Sequence, residues 1–135
     1  MEHFAGPGHP ESPQRMAAIE SAVRAAGFLG RVNTFIPRPA SRIDVESVHD
    51  SSYIEMMLQL KGHSRQLDVD TAVSPRSIDA ALFAVGAALD ATNAVLSGIV
   101  RTAFCAVRPP GHHAERDRAM AVSYTHLTLP TNREV

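Results

Sequence analysis

Arg108-Pro109-Pro110-Gly111-His112-His113-Ala114 places two adjacent histidines behind a rigid turn, at the end of the apolar run Ala103-Phe104-Cys105-Ala106-Val107. That run is apolar throughout and punctuated on both sides, which predicts a short buried strand. Pro109 and Pro110 cannot donate to a ladder and hold the backbone extended, while Gly111 permits a sharp bend. Two imidazoles at the mouth of a strand suit proton transfer near neutral pH, where histidine titrates unperturbed. Spacing alone leaves two readings open: a structural or surface pair, or a catalytic one.

Upstream of the strand lies the longest predicted helix, from Ser74-Pro75 to about Ser97. Ser74 is its cap, Pro75 its first residue, and Ile78, Leu82, Val85, Leu89 and Val95 are its apolar positions. Small Ala and Gly residues between them predict close packing on a sheet; Gly98 ends the helix, and residues 99–107 supply the strand that carries the histidine pair. Helix, strand, then polar residues at the strand's carboxyl end is how open α/β sheets build their sites. Residues 61–74 read as polar and irregular. A helix over residues 51–60 presents Tyr53, Met57, Leu58 and Leu60, its methionines reading as core filler. Residues 43–49 predict a short helical turn capped by Ser41 or Asp44, and residues 35–39 an extended piece broken by prolines. The first helix starts at Pro13 behind Ser12, carries Met16, Ile19, Val23 and Ala26 at helical spacing, and closes at Gly27. Residues 4–13 are Gly- and Pro-rich loop.

With 135 residues and a net charge of −1, the chain fits one domain and gives no electrostatic reason to expect nucleic acid or membrane partners. At 44% hydrophobic it can build a core. No apolar run approaches the roughly 20 residues of a membrane span, and the N-terminus lacks the features of a signal peptide. The single Cys105 excludes an internal disulfide and fits a reducing, cytoplasmic compartment; its place in the apolar run makes it a packing residue. His49 and His63 read as exposed.

After Met120 the character changes. Ser123 to Thr131 resembles the in-frame translation of a transposon-derived sequencing adapter, so residues 1–120 are expected to be native domain and residues 121–135 a non-native tail. The alternative, a genuine strand over residues 124–129, gives the same stretch an alternating pattern.

Three blocks carry a family likeness: Gly6-Pro7-Gly8-His9-Pro10-Glu11-Ser12-Pro13-Gln14-Arg15, then Leu67-Asp68-Val69-Asp70-Thr71 followed by the Ser74-Pro75 helix with Gly86-Ala87, then the Pro-Pro-Gly-His-His block with Ala119-Met120. In this order they resemble the histone deacetylase superfamily, in its bacterial branch of acetoin-utilisation proteins, acetylpolyamine amidohydrolases and deacetylase-like amidohydrolases. The resemblance implies an α/β fold, here a truncated piece of an arginase/deacetylase-like open parallel sheet with flanking helices. It also implies a zinc amidohydrolase that removes acetyl groups from acetyl-lysine or acetylpolyamines. By position, His113 matches the family's general base and His112 its hydrogen-bonding partner to the same water. Arg15 matches an arginine of an internal product channel, beside the reading of an ordinary salt bridge or carbonyl clamp; Asp70 reads as a turn aspartate ahead of the helix, beside a match to a rim aspartate that grips substrate. Gly111 belongs with these substrate- and product-channel positions. His9 and Glu11 organise the opening loop.

The family's aspartate-x-histidine zinc pair, its second aspartate ligand and its oxyanion-stabilising tyrosine have no counterparts here. Zinc is therefore expected in the complete parent enzyme, and the chain alone is expected to be inactive. Two other readings stand beside this one. One is a non-catalytic binding module on the same fold; the other is guanidine hydrolysis on an arginase-like fold.

Overall fold

The computed structural model describes residue 3 and residues 12–68 and 71–120. Four helices and one small hairpin follow one another: α1 (Pro13–Ala25), α2 (Arg42–Glu46), α3 (Ser51–Gln59), β1 (Arg65–Gln66), β2 (Ala72–Val73) and α4 (Ser77–Leu96). Pro13 opens α1 behind Ser12, whose backbone is extended, and Gly27 turns the chain away at φ +69°. Met16, Ile19 and Val23 form a half-buried stripe, whereas Ala26 is exposed. No residue of α1 is fully buried, so this helix lies on the surface of the unit.

Helix α2 is held by a capping box. The Ser41 hydroxyl accepts from the Asp44 amide at 3.2 Å, and the Asp44 carboxylate accepts from the Ser41 amide at 2.7 Å. Arg38 donates to that same carboxylate at 2.8 Å. The Arg38 bond, reinforced by Ser41, holds the Asp44 carboxyl down to about 2.

Two apolar clusters make the core. Ala40, Val45, Tyr53 and Ile54 form one, and Leu60, Val73 and Ile78 the other; Met57, Leu58 and Leu82 pack against both and join them. Met57 is thus core filler as its spacing predicts, while Met56 is 48% exposed.

Residues 61–74 are not simply irregular. β1 and β2 pair antiparallel, Arg65 opposite Val73 and Gln66 opposite Ala72. Leu67 N–H donates to Thr71 O at 2.8 Å and the Thr71 hydroxyl to Asp68 at 2.8 Å, which closes the loop between them. Burial of Thr71 and Val73 anchors a hairpin too short for an alternating pattern to announce it.

Helix α4 begins at Ser77, two residues later than its proline predicts. Ser77 N–H donates to Ser74 O at 2.9 Å, closing a turn with Pro75 in its second position, and the Pro75 carbonyl is taken by Gly62 N–H at 3.0 Å. Contrary to the sequence expectation, α4 is long and apolar enough, by length and composition, to cross a membrane: 20 residues with mean hydropathy 1.4. Core helices pass the same test. α4 also carries backbone contacts along its flank: Ala40 N–H donates to Leu82 O at 2.9 Å, and Arg38 N–H to Asp90 at 3.1 Å. Gly86 permits that crossing, because a Cβ there would overlap the Arg38 carbonyl and lie 3.0 Å from Ala40 N. The small residue thus serves a chain crossing rather than a sheet.

The strand expected over residues 99–107 is extended but unpaired, and none of its residues 101–107 joins a ladder among the described residues. A strand exists only with a neighbour to exchange N–H and C=O bonds, and the described residues supply none. Residues 101–107 are exposed, Phe104 at 79%. One side nonetheless leans on α4: the Cys105 thiol lies 3.7 Å from Ala87 O, and Ala106 and Val107 face Ala80, Phe83 and Ala84 across a cavity of about 340 Å³. Cys105 is therefore exposed rather than packed.

Candidate functional site

Gly111, His112, His113 and Ala114 form one tight turn, closed by Ala114 N–H donating to Gly111 O at 3.0 Å. A turn sets its two central side chains side by side, so the imidazoles of His112 and His113 lie with centroids 4.3 Å apart, tilted by 52°. Both are exposed.

Arg108 fixes the chain ahead of this turn. It is only 4% exposed, and its Nη1 donates to the backbone carbonyl of His3 at 2.7 Å. Burying a guanidinium is tolerable only with its donors engaged. His3 is itself buried, with Nδ1 2.6 Å from the Ser77 hydroxyl at the start of α4. The sequence reading assigned no part to either residue. For Arg108 a signal existed: an arginine between an apolar run and two prolines has little room to reach water. For His3 there was none.

Beyond the turn, Glu115 and Arg118 close a second loop through Glu115 N–H to Arg118 O at 2.9 Å and a side-chain ion pair at 2.8 Å. Ala119 then packs on the first core cluster. His49, expected to be exposed, is half-buried here: its Nδ1 lies 2.8 Å from Glu115 O, and its ring sits 5.4 Å from that of Tyr53. Burial pushes the Tyr53 phenol above its ordinary range. His63 is exposed as expected.

Arg15 lies exposed in the first turn of α1. Asp70, His9 and Glu11 lie outside the described residues, as do residues 121–135. Among the described residues no three His, Cys, Asp or Glu side chains converge in a way that could hold a metal ion. The chemistry open to this site is accordingly that of two solvent-facing imidazoles: accepting, holding and donating protons.

A family model for the histone deacetylase domain matches residues 9–125. The chain belongs to this family. A histone deacetylase-like amidohydrolase of Pseudomonas aeruginosa is 33% identical over 121 residues, 89% of this chain and 32% of that protein. A probable deacetylase of Archaeoglobus fulgidus is 34% identical over 117 residues, 85% of this chain and 33% of its own length. Among solved structures, the HDA15 HD domain superposes with a TM-score of 0.78 at 34% identity, covering 90% of this chain and 35% of that one. The chain thus spans about a third of the length of these relatives. Its helices and small hairpin are part of the α/β deacetylase fold. A histone deacetylase domain implies a metal cofactor, and the described residues do not fit one, so no chemical step at this turn is assigned to it.

Proposed function

We propose that this chain is the N-terminal part of a zinc-dependent deacetylase-like amidohydrolase, a cytoplasmic enzyme that in complete form releases acetate from acetyl-lysine side chains or acetylpolyamines. The observation that carries this reading is the adjacent His112–His113 pair, presented on one turn in a chain of the histone deacetylase family. His113 takes a proton from the water whose oxygen attacks the acetamide carbonyl carbon. As the carbon–nitrogen bond breaks, His113 returns that proton to the departing amine, and acetate is left. His112 holds the same water by a hydrogen bond. Gly111 keeps the backbone low beside the substrate, Asp70 grips the substrate at the rim, and Arg15 attracts the departing carboxylate.

The complete enzyme draws its zinc ligands, carboxylate partners for the histidines and oxyanion donor from sequence beyond Met120, and residues 121–135 are foreign to it. The family match runs on to residue 125. Among the described residues both imidazoles face water and no group is gathered with them to hold a metal ion, so the chain alone is expected not to turn over.

The test has two arms. The purified chain, incubated with zinc and either an acetyl-lysine peptide or an acetylated polyamine, is expected to release no acetate; zinc-dependent release lost in His113→Ala would overturn its inactivity. The genomic reading frame past the codon for Met120 is expected to continue into an aspartate-x-histidine pair. A frame that continues without such ligands would overturn the assignment to a working amidohydrolase.

A further inference from the structure

The turn that carries His112 and His113 is held at its far end by the start of α3, two residues that the family reading leaves without a role. Asp50, the N-cap of α3, donates its backbone N–H to Arg116 O at 2.9 Å. Its carboxylate oxygen takes the Arg116 guanidinium through Nε at 3.0 Å and Nη2 at 2.8 Å. One residue earlier, His49 reaches Glu115 O at 2.8 Å. A carbonyl can only accept, so Nδ1 of His49 carries the proton, and this bond fixes the tautomer. Tyr53, one turn along α3 and buried, lies against the His49 ring and limits its rotation.

The two successive peptide carbonyls of Glu115 and Arg116 are therefore each bonded by adjacent residues, the N-cap of α3 and the residue before it. We infer that His49 and Asp50 are positioning residues: they clamp the backbone just after Ala114 and so fix the direction of the His112 and His113 rings. The physical need is plain. The turn leaves both imidazoles exposed, in contact with each other. Besides its own Ala114 N–H to Gly111 O bond, it is held at its two ends, by Arg108 on one side and this clamp on the other. Positioning at the sub-ångström level is worth large factors in proton transfer, so a clamp outside the site governs what the site can do. The functional meaning of the clamp rests on the proposed role of the pair, whereas its existence does not.

The test reads the rings directly in the full 135-residue chain, by nuclear magnetic resonance of the imidazoles. Wild type is expected to show a cross-peak between the rings of His112 and His113. In His49→Ala the cross-peak is expected to be lost and both ring resonances to move, while the methyl resonances of Val45 and Ile54 stay in place. His49→Asn, whose side-chain amide can donate to the same carbonyl, is expected to restore both signals. Unchanged ring signals in His49→Ala, or equal loss in His49→Ala and His49→Asn, would overturn the clamp. If His49→Ala also disturbs the core methyls, His49→Phe decides, because it keeps a ring against Tyr53 and removes only the donor to Glu115 O. Displaced ring resonances in that variant support the clamp, and unchanged ones overturn it. No outcome depends on deacetylase turnover, so the clamp and the proposed function fail separately.

Discussion

Replacing Gly86 by alanine tests the packing on which the site's scaffold rests. Intrinsic propensity alone favours the change by about 1 kcal/mol, since glycine is a poor residue inside a helix. The crossing segment reverses the sign. A Cβ at Gly86 would run into the Arg38 carbonyl and crowd Ala40 N at 3.0 Å, and both neighbours are backbone, which cannot swing aside. Overpacking of this kind costs roughly 1–3 kcal/mol. Lifting the segment also stretches two hydrogen bonds, Ala40 N–H to Leu82 O and Arg38 N–H to Asp90, each contributing about 0.5–1.5 kcal/mol.

The net expectation for Gly86→Ala is a loss of about 2 kcal/mol. At roughly 3–5 °C per kcal/mol for a chain of this size, the melting midpoint should fall by about 6–10 °C. Thermal unfolding followed by far-ultraviolet circular dichroism measures it, with Asn93→Ala on the exposed face of α4 as the control, expected to be unchanged or slightly raised. A Gly86→Ala midpoint equal to or above wild type would refute the crossing and leave only the helix-propensity gain.

The Asp44 carboxyl, held at about 2 against an ordinary value of 3.8, gives a pH signature. A depressed acid stabilises the fold above its unfolded value and loses that contribution as pH falls through its folded one, so the loss belongs between about 3.8 and about 2. Asp44→Asn should therefore unfold with a shallower acid dependence in that window, read from urea midpoints at successive pH values; an identical slope would count against the Arg38–Asp44–Ser41 network. The exposed apolar segment makes the chain sticky: Phe104 and Ile99 are 79% and 65% exposed on an unpaired stretch. Concentration-dependent self-association by light scattering is expected, and Phe104→Ser should reduce it without lowering the melting midpoint. A monodisperse wild type at high concentration would show that the segment is covered.

Local chemistry made much of this fold legible. Ser12 before Pro13, the Ser41–Asp44 box and the regular apolar spacing of α3 and α4 specify helices through contacts a few residues apart, and sequence displays such contacts directly. The adjacent His112 and His113, and the Pro-Pro-Gly turn that presents them, were equally visible, and with the upstream blocks they pointed to the family that the comparisons then showed. What failed to read out was every feature set by a partner distant in the chain. The expected strand over residues 99–107 has the right composition but no neighbour among the described residues to pair with, and pairing is a property of two segments. His49 read as a surface histidine because Glu115, the residue that engages it, stands 66 positions away. Arg108 and His3 meet across 105 positions, and nothing near either one announces the other.

Sequence by itself determined the helices, the turn and the presence of two imidazoles on it, because each depends on residues within one turn of backbone. Only the tertiary structure decided that Gly86 serves a crossing chain, that Arg108 is buried and that His49 and Asp50, ahead of α3, bond the backbone behind the histidines. Those outcomes arise from packing and long-range hydrogen bonds, which a linear pattern does not encode until the chain has folded.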